Sequence, residues 1–129
     1  MIPFGHVTRI FVATTPADMR RSFNGLSELV RMELGENPLS GHLFIFSNKR
    51  HTLLKILVWD SGGYWVCGKR LEAGTFSWPA PQPGETKVRV SAEELAMLLG
   101  GLDWTATRRR SWWRNNLGDV PTPSAAAVL

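Results

Sequence analysis

Four short apolar segments, separated by tight turns, occupy residues 42–79 and limit most strongly what this chain can fold into. Residues of the β-branched and aromatic types that favour strands dominate them. The turns KRHT, SGG and EAG are short, and short connections join antiparallel neighbours. The region therefore predicts an antiparallel meander, with strands at HLFIFSN (42–48), LLKILVWD (53–60), YWVCGKRL (64–71) and TFSWP (75–79).

Further strands and two helices are predicted on either side of this meander. Thr15 and Pro16 are typical of a helix start, and the apolar residues that follow recur at helical spacing up to residue 34. Ser91 and Glu94 form the S-x-x-E capping box of a second helix. The remaining strands are RIFVAT (9–14) and KVRV (87–90). The order predicts an α+β fold: an antiparallel meander sheet of about five to six strands with two helices packed on one face.

The length of 129 residues suits one domain, which we place at residues 1–104. Residues 105–129 have no sustained periodicity and are expected to form a flexible tail rich in basic and aromatic residues. An apolar run of about 18 residues is absent, and so is a signal-peptide pattern. Since the chain has one cysteine, an internal disulfide is excluded. These features predict a cytoplasmic protein without a membrane span.

Side chains that could carry catalysis are scattered. The three histidines, at positions 6, 42 and 51, lack a zinc-site spacing. Asp60 and Glu72 lie in predicted turns, and Asp103 follows a helix, so a metal-binding acidic triad is not expected. Cys67 lies within a strand, where an inert thiol is the ordinary outcome. The sequence predicts a protein that is not an enzyme and needs no metal or cofactor.

Positive charge is the one pattern that points to a partner. The net charge is +4, and basic residues recur through the meander. These cations could contact phosphates, or they could only cover an exposed sheet face with their stems. The predicted DNA-binding residues are Arg20, Arg21, Lys49, Arg50, Lys55, Lys69, Arg70, Arg108, Arg109, Arg110 and Arg114.

Tryptophans accompany these cations and suggest contact surfaces. The tail motif RRRSWWR could be a nucleic-acid arm, a partner-binding segment or an inert basic tail. The predicted partner-binding residues are Trp59, Trp78, Trp112 and Trp113.

Four sequence motifs, taken together, resemble one family. They are DMRRSFNGL (18–26), HLFIFSNKR (42–50), KILVWDSGGYWVCGKRLEAGTFSWP (55–79) and LLGGLDW (98–104). Through them the sequence is similar to the Orf2-like accessory proteins, also called TnpB, of the insertion-sequence-66 family of transposable elements. The resemblance implies a small bacterial protein that accompanies a separate, larger transposase and has no known catalytic residues.

Two functional hypotheses follow from the resemblance and the charge. In the first, the protein assists transposition by binding DNA or the transposase–DNA complex without catalysis. In the second, it is an adaptor that docks the transposase without direct DNA binding. Lys55 and Arg70 on one open face beside a tryptophan would favour DNA. An apolar patch ringed by charge would favour a protein partner.

Overall fold

A computed structural model of the chain describes residues 9–100. Five strands and two helices follow one another in the order β-α-β-β-β-β-α. They are β1 (Ile10–Ala13), α1 (Phe23–Met32), β2 (Leu43–Ser47), β3 (Leu53–Asp60), β4 (Gly63–Arg70), β5 (Lys87–Val90) and α2 (Ala92–Gly100).

The strands form one mixed sheet in the order β4-β3-β2-β1-β5. The α+β class is confirmed, but the meander covers only β2, β3 and β4, which are antiparallel neighbours. β1 and β2 are parallel, because α1 lies between them in sequence and returns the chain to the edge where β1 began. β5 then pairs antiparallel with β1 on its other side.

The prediction of a strand at residues 75–79 is wrong, so the sheet has five strands among residues 9–100. The segment passes instead across one face of the sheet, where Phe76 and Trp78 are buried. Its aromatic residues resemble a strand in composition, but they serve as core side chains. The indole Nε1 of Trp78 donates a hydrogen bond of 2.9 Å to the carbonyl of Ala13 in β1.

The two helices lie on opposite faces of the sheet, and the prediction that both pack on one face is wrong. All five residues of β2 are buried, which requires cover on both sides. We call the two sides the α1 face and the α2 face. The α1 cluster contains Phe11, Ala13, Leu26, Val30, Leu34, Phe44, Phe46 and Leu57. The α2 cluster contains Ile10, Val12, Leu43, Ile45, Leu54, Ile56, Val58, Phe76, Trp78, Val88, Val90, Leu95, Met97 and Leu98.

The first helix begins at Phe23, seven residues later than the sequence suggested. Two hydrogen bonds, one to a distant strand and one within a local turn, hold the preceding segment in a non-helical path. The backbone N–H of Ala17 donates to the carbonyl of Ser47, and Asp18 Oδ1 accepts from the backbone N–H of Arg20 at 2.9 Å. Asp18 thus closes a turn of its own, as short acidic side chains often do, and the residues before Phe23 stay outside the helix.

The capping box of the second helix is confirmed. Ser91 N–H donates to Glu94 Oε1 at 2.7 Å, and Glu94 N–H donates to Ser91 Oγ at 3.1 Å. Glu94 is 1% exposed, and its other carboxylate oxygen, Oε2, has no hydrogen-bond partner among the described residues. Burial raises the pKa of Glu94, whereas the two bonds with Ser91 oppose that rise.

Replacement of Glu94 by Gln should flatten the pH dependence of stability. Because burial raises the folded-state pKa, the native chain holds this proton more tightly than the unfolded chain does. Stability therefore falls as pH rises from the unfolded value, about 4.3, through the folded value, and then levels off. Glutamine can keep the cap without this titration. Urea unfolding from about pH 4 to pH 7 should show the loss in the native protein and a smaller one in Glu94→Gln. An equal change in the control Glu93→Gln, at an exposed neighbour, would contradict the assignment.

Candidate nucleic-acid interface

Lys55 projects from β3 onto the α1 face of the sheet. Leu57, two residues further along the strand, packs in the α1 cluster, so both side chains point to the same side. Its Nζ donates a hydrogen bond of 2.8 Å to the carbonyl of Arg21, just before α1 begins. The contact brings Lys55, on a strand, close to Arg21, in the segment that precedes α1.

Arg70 lies on this same face. The strand register pairs Leu53 with Arg70 and Lys55 with Gly68, and residues paired across a ladder share a side. Lys55 and Arg70 are therefore diagonal neighbours across β3 and β4. Gly68, between them on β4, has no side chain to cover the stem of Lys55.

Lys49 and Arg50 sit at the tip of the turn between β2 and β3, at this same end of the sheet. Asn48 braces the turn through its side chain. Its Oδ1 accepts from the backbone N–H of Thr52 at 2.9 Å and of Leu53 at 3.2 Å, and its Nδ2 donates to Thr52 Oγ1 at 3.0 Å. The two exposed cations thus stand on a backbone fixed by several hydrogen bonds.

His51 fixes the other side of this turn, with a left-handed φ of 58°. Its Nδ1 lies 2.9 Å from Ser47 Oγ, and its ring stacks on Trp78 with centroids 5.2 Å apart. The carbonyl of His51 accepts from the backbone N–H of Phe76 at 2.8 Å. The turn is therefore tied to the core beneath it. No role for His51 or Asn48 was predicted from the sequence. The preference of Asn for closing its own turns was the signal available for Asn48.

Two of the predicted cations have an acidic neighbour. Arg20 Nη2 lies 2.7 Å from Asp18 Oδ2, and Arg70 Nη2 lies 3.3 Å from Glu72 Oε2. The hydrogen bonds from Arg20 hold the pKa of Asp18 well below its usual range. Both pairs are highly exposed on the arginine side, so they stabilise the fold little but reduce the local positive charge.

Six cations at this end of the sheet form a group that we call the basic end: Arg20, Arg21, Lys49, Arg50, Lys55 and Arg70. Within residues 9–100, four of them form no ion pair with a carboxylate: Arg21, Lys49, Arg50 and Lys55. A cavity of about 160 Å³ adjoins Arg21 and is lined also by Thr15, Asp18, Glu33 and Thr86.

Lys69 is separated from this group. It alternates with Arg70 and points to the α2 face, where its Nζ donates to the carbonyl of Leu99 at 2.6 Å. Lys87, which the sequence did not single out, does the same at the end of α1. Its Nζ donates to the carbonyl of Leu34 at 2.8 Å and lies 3.3 Å from Glu36 Oε2. Some strand lysines thus satisfy carbonyls near the ends of helices, which accounts for part of their regular spacing.

The predicted partner-binding tryptophans do not gather at the basic end. Trp59 shares the face of Lys55 but lies four residues further along β3, about 13 Å away, and its ring meets Tyr64 edge-on at 5.0 Å. Trp78 is 8% exposed and belongs to the core, so its position does not favour a partner-binding role. Trp112, Trp113 and the cations at 108–110 and 114 lie outside the described residues.

The part of the chain from residue 9 to residue 100 contains no group of three His, Cys, Asp or Glu side chains placed to hold a metal ion. Over the same range, each helix is too short or too polar to cross a membrane. The described surface offers exposed positive charge at Lys49 and Arg50, on a turn held by several hydrogen bonds.

Comparison with known proteins identifies the family. The family model described as "IS66 Orf2 like protein" matches residues 8–109. Two proteins of Sinorhizobium fredii, each called an uncharacterized protein, are similar over most of their length. The first, y4jC, is 41% identical over 102 residues, which cover 79% of this chain and 86% of the relative. The second, y4hO, is 38% identical over 104 residues, covering 81% and 89%. No solved structure matches. The chain therefore belongs to the Orf2-like family of IS66 insertion sequences, as its sequence motifs indicated.

Proposed function

We propose that this protein is a non-catalytic accessory factor in the transposition of a bacterial insertion sequence, and that it binds DNA through the basic end. The observation that carries the proposal is the braced turn with Lys49 and Arg50 at its tip, beside Arg21 and Lys55. Membership of the insertion-sequence family supplies the biological setting. The expected partners are the DNA and the transposase of the element.

Rigidity is what makes the turn suitable for this task. A long flexible cation loses conformational entropy when a phosphate immobilises it, and part of that loss is avoided if the backbone is already fixed. Asn48 and His51 fix the backbone on both sides of Lys49 and Arg50. The turn can therefore approach a DNA backbone without first becoming ordered.

The contacts we propose are to phosphates and not to base edges. Phosphate contacts position a protein on the duplex, whereas sequence is read by groups that reach into a groove. The exposed side of α1 and its C-cap carries Glu28 and Glu33 beside the cation Arg31, and carboxylates there do not favour entry into a groove lined by phosphates. We therefore expect DNA binding with little sequence preference from the described part of the chain.

The adaptor hypothesis receives less support from the described surface. Large apolar side chains that are well exposed there are dispersed: Phe23 and Met32 at the two ends of α1, Leu39 in a loop and Trp65 on β4. Phe23 and Met32 are nine residues apart on one helix, which places them on opposite sides of it. No apolar patch ringed by charge is formed by these residues at the basic end.

Binding of labelled DNA tests the proposal directly. Fluorescence anisotropy should be measured with a duplex of the element's terminal sequence and with a scrambled duplex, at about 0.1 M salt. Loss of two phosphate contacts in Lys49→Ala/Arg50→Ala should weaken binding to both by one to two orders of magnitude, roughly 0.9 decade per contact. The variant Arg31→Ala/Arg89→Ala removes the same charge from exposed sites outside the basic end.

The control should bind within a few-fold of the native protein. Equal losses in both double variants would mean that only net charge matters and would remove the basic end as a site. Absence of DNA binding by the native chain would refute the proposal and leave the adaptor hypothesis, which pull-down with the transposase can examine.

A further inference from the structure

The strand β4 lies at one edge of the sheet and is as long as its neighbour, with eight residues. Its outer side pairs with no strand of the described chain, from residue 9 to residue 100. Long, unprotected edge strands are uncommon in monomeric proteins because they present unpaired N–H and C=O groups to other chains. The other edge strand, β5, has only four residues.

The tight turn before β4 determines which backbone groups face outward. Ser61 and Gly62 both have positive φ, 50° and 89°, as a two-residue type I′ hairpin turn requires. Asp60 and Gly63 close that hairpin as a hydrogen-bonded pair with groups directed toward β3. Along a strand, the backbone groups of successive residues point alternately toward one neighbour and the other. The N–H and C=O groups of Tyr64, Val66, Gly68 and Arg70 therefore point away from β3, toward the open edge.

The chemistry of β4 changes from one half to the other. The first half carries two aromatic rings, Tyr64 and Trp65, and Trp65 is 45% exposed. The second half carries two cations, Lys69 and Arg70, on opposite faces. An antiparallel copy of the same strand would place cations over rings, an attractive arrangement, whereas a parallel copy would place cation beside cation.

We propose that two copies of this chain associate through β4, antiparallel about a two-fold axis at Cys67, to give one continuous sheet of ten strands. Like residues on a two-fold axis meet each other, and pairing about Cys67 sets Trp65 against Lys69 of the partner subunit. On the other face, it sets Tyr64 against Arg70 of the partner subunit. The proposal goes beyond DNA binding and does not depend on it.

This register satisfies the backbone as well as the side chains. Tyr64 would exchange hydrogen bonds with Arg70 of the partner subunit, and Val66 with Gly68 of the partner subunit, so all four outward-facing residues are used. Lys69 already points its Nζ toward the carbonyl of Leu99, which lays its aliphatic stem along the α2 face. The ring of Trp65 from the second copy can pack over that stem.

The mass of the full chain in solution tests the association. Light scattering after size-exclusion chromatography should give a dimer, twice the chain mass of 14.4 kDa. Trp65→Lys should give a monomer, because each new lysine would oppose Lys69 of the partner subunit. Met32→Lys adds the same charge at a residue 71% exposed on α1 and should remain a dimer. Circular dichroism should show that both variants are folded.

Two further measurements test the register. Since Cys67 is the single cysteine of the chain, mild oxidation should link two copies through it, visible on a non-reducing gel. Antiparallel partners that are not hydrogen-bonded have Cα atoms about 4.5 Å apart, within disulfide range. Trp65→Lys should lose the cross-link, and Trp65→Lys/Lys69→Glu should regain both dimer and cross-link. A monomeric native protein, or a dimer unaffected by Trp65→Lys, would overturn the proposal. A dimer that does not cross-link would overturn the register about Cys67.

Discussion

Trp78→Ala is expected to lower the free energy of unfolding by about 3–5 kcal/mol, the usual cost of removing a large buried aromatic side chain. Trp78 is 8% exposed in the α2 cluster, stacks on His51 and donates to the carbonyl of Ala13. A domain of this size is typically stable by only about 5–15 kcal/mol, so the loss is a large fraction of the total. Urea unfolding followed by far-ultraviolet circular dichroism measures it.

Two companion variants separate the contributions of Trp78. Trp78→Phe keeps most of the buried ring but removes the N–H that reaches Ala13, and should cost about 1–2 kcal/mol. Met32→Ala truncates a residue that is 71% exposed and should change stability by less than about 0.5 kcal/mol. If Trp78→Ala were as stable as the native protein, the assignment of Trp78 to the core would be wrong. The prediction that Trp78 binds a partner would then stand again.

The affinity for DNA should fall by about two orders of magnitude when monovalent salt rises fourfold, from about 50 to about 200 mM. Four cations of the basic end without ion pairs can each displace counterions from one phosphate, which gives a slope of about −3.6 for log K against log salt. Those cations are Arg21, Lys49, Arg50 and Lys55. Anisotropy titrations at several salt concentrations give the slope.

Removal of the two turn cations should make that slope shallower by about 1.8. The difference between Lys49→Ala/Arg50→Ala and the native protein is the sharper quantity, since cations elsewhere in the chain contribute equally to both. An unchanged slope, with the affinity lowered, would indicate that the variant altered the shape of the turn and that Lys49 and Arg50 do not contact phosphates.

Local patterns predicted the fold well wherever neighbouring residues decide the structure. The strands β3 and β5 have the predicted bounds, and the capping box of Ser91 and Glu94 forms as expected. The tight turn at residues 60–63 is likewise formed. Each of these features depends on contacts within a few positions along the chain, so composition and spacing are sufficient to predict them.

The errors occurred where distant residues compete. Thr15 and Pro16 are typical of a helix start, but the bond between Ala17 and Ser47, which are distant in sequence, holds that segment outside the helix. Trp78 belongs to a segment with strand-like composition, yet its side chain is buried in the α2 cluster and bonds to the carbonyl of Ala13, far away in sequence. The continuous apolar run of β2 was the available sign that both faces of the sheet are covered.

The candidate site also depends partly on local and partly on long-range contacts. The sequence identified the cations, but the register between strands decides whether they share a face. Lys55 and Arg70 share the α1 face because Leu53 pairs with Arg70, and a shift by one residue would have placed Lys69 there instead. The contact between Lys55 and the carbonyl of Arg21 joins distant parts of the chain, and no local pattern predicts it.

The position of β1 between β2 and β5 has a consequence for how the protein is made. The strand Ile10–Ala13, the first within residues 9–100, receives its antiparallel neighbour only after Lys87–Val90 has been synthesised. Until then, a buried strand of the finished sheet keeps one side open, and such pairing between distant segments is slow to form. A product truncated before β5 would retain that open side and would be an early target for proteases and aggregation.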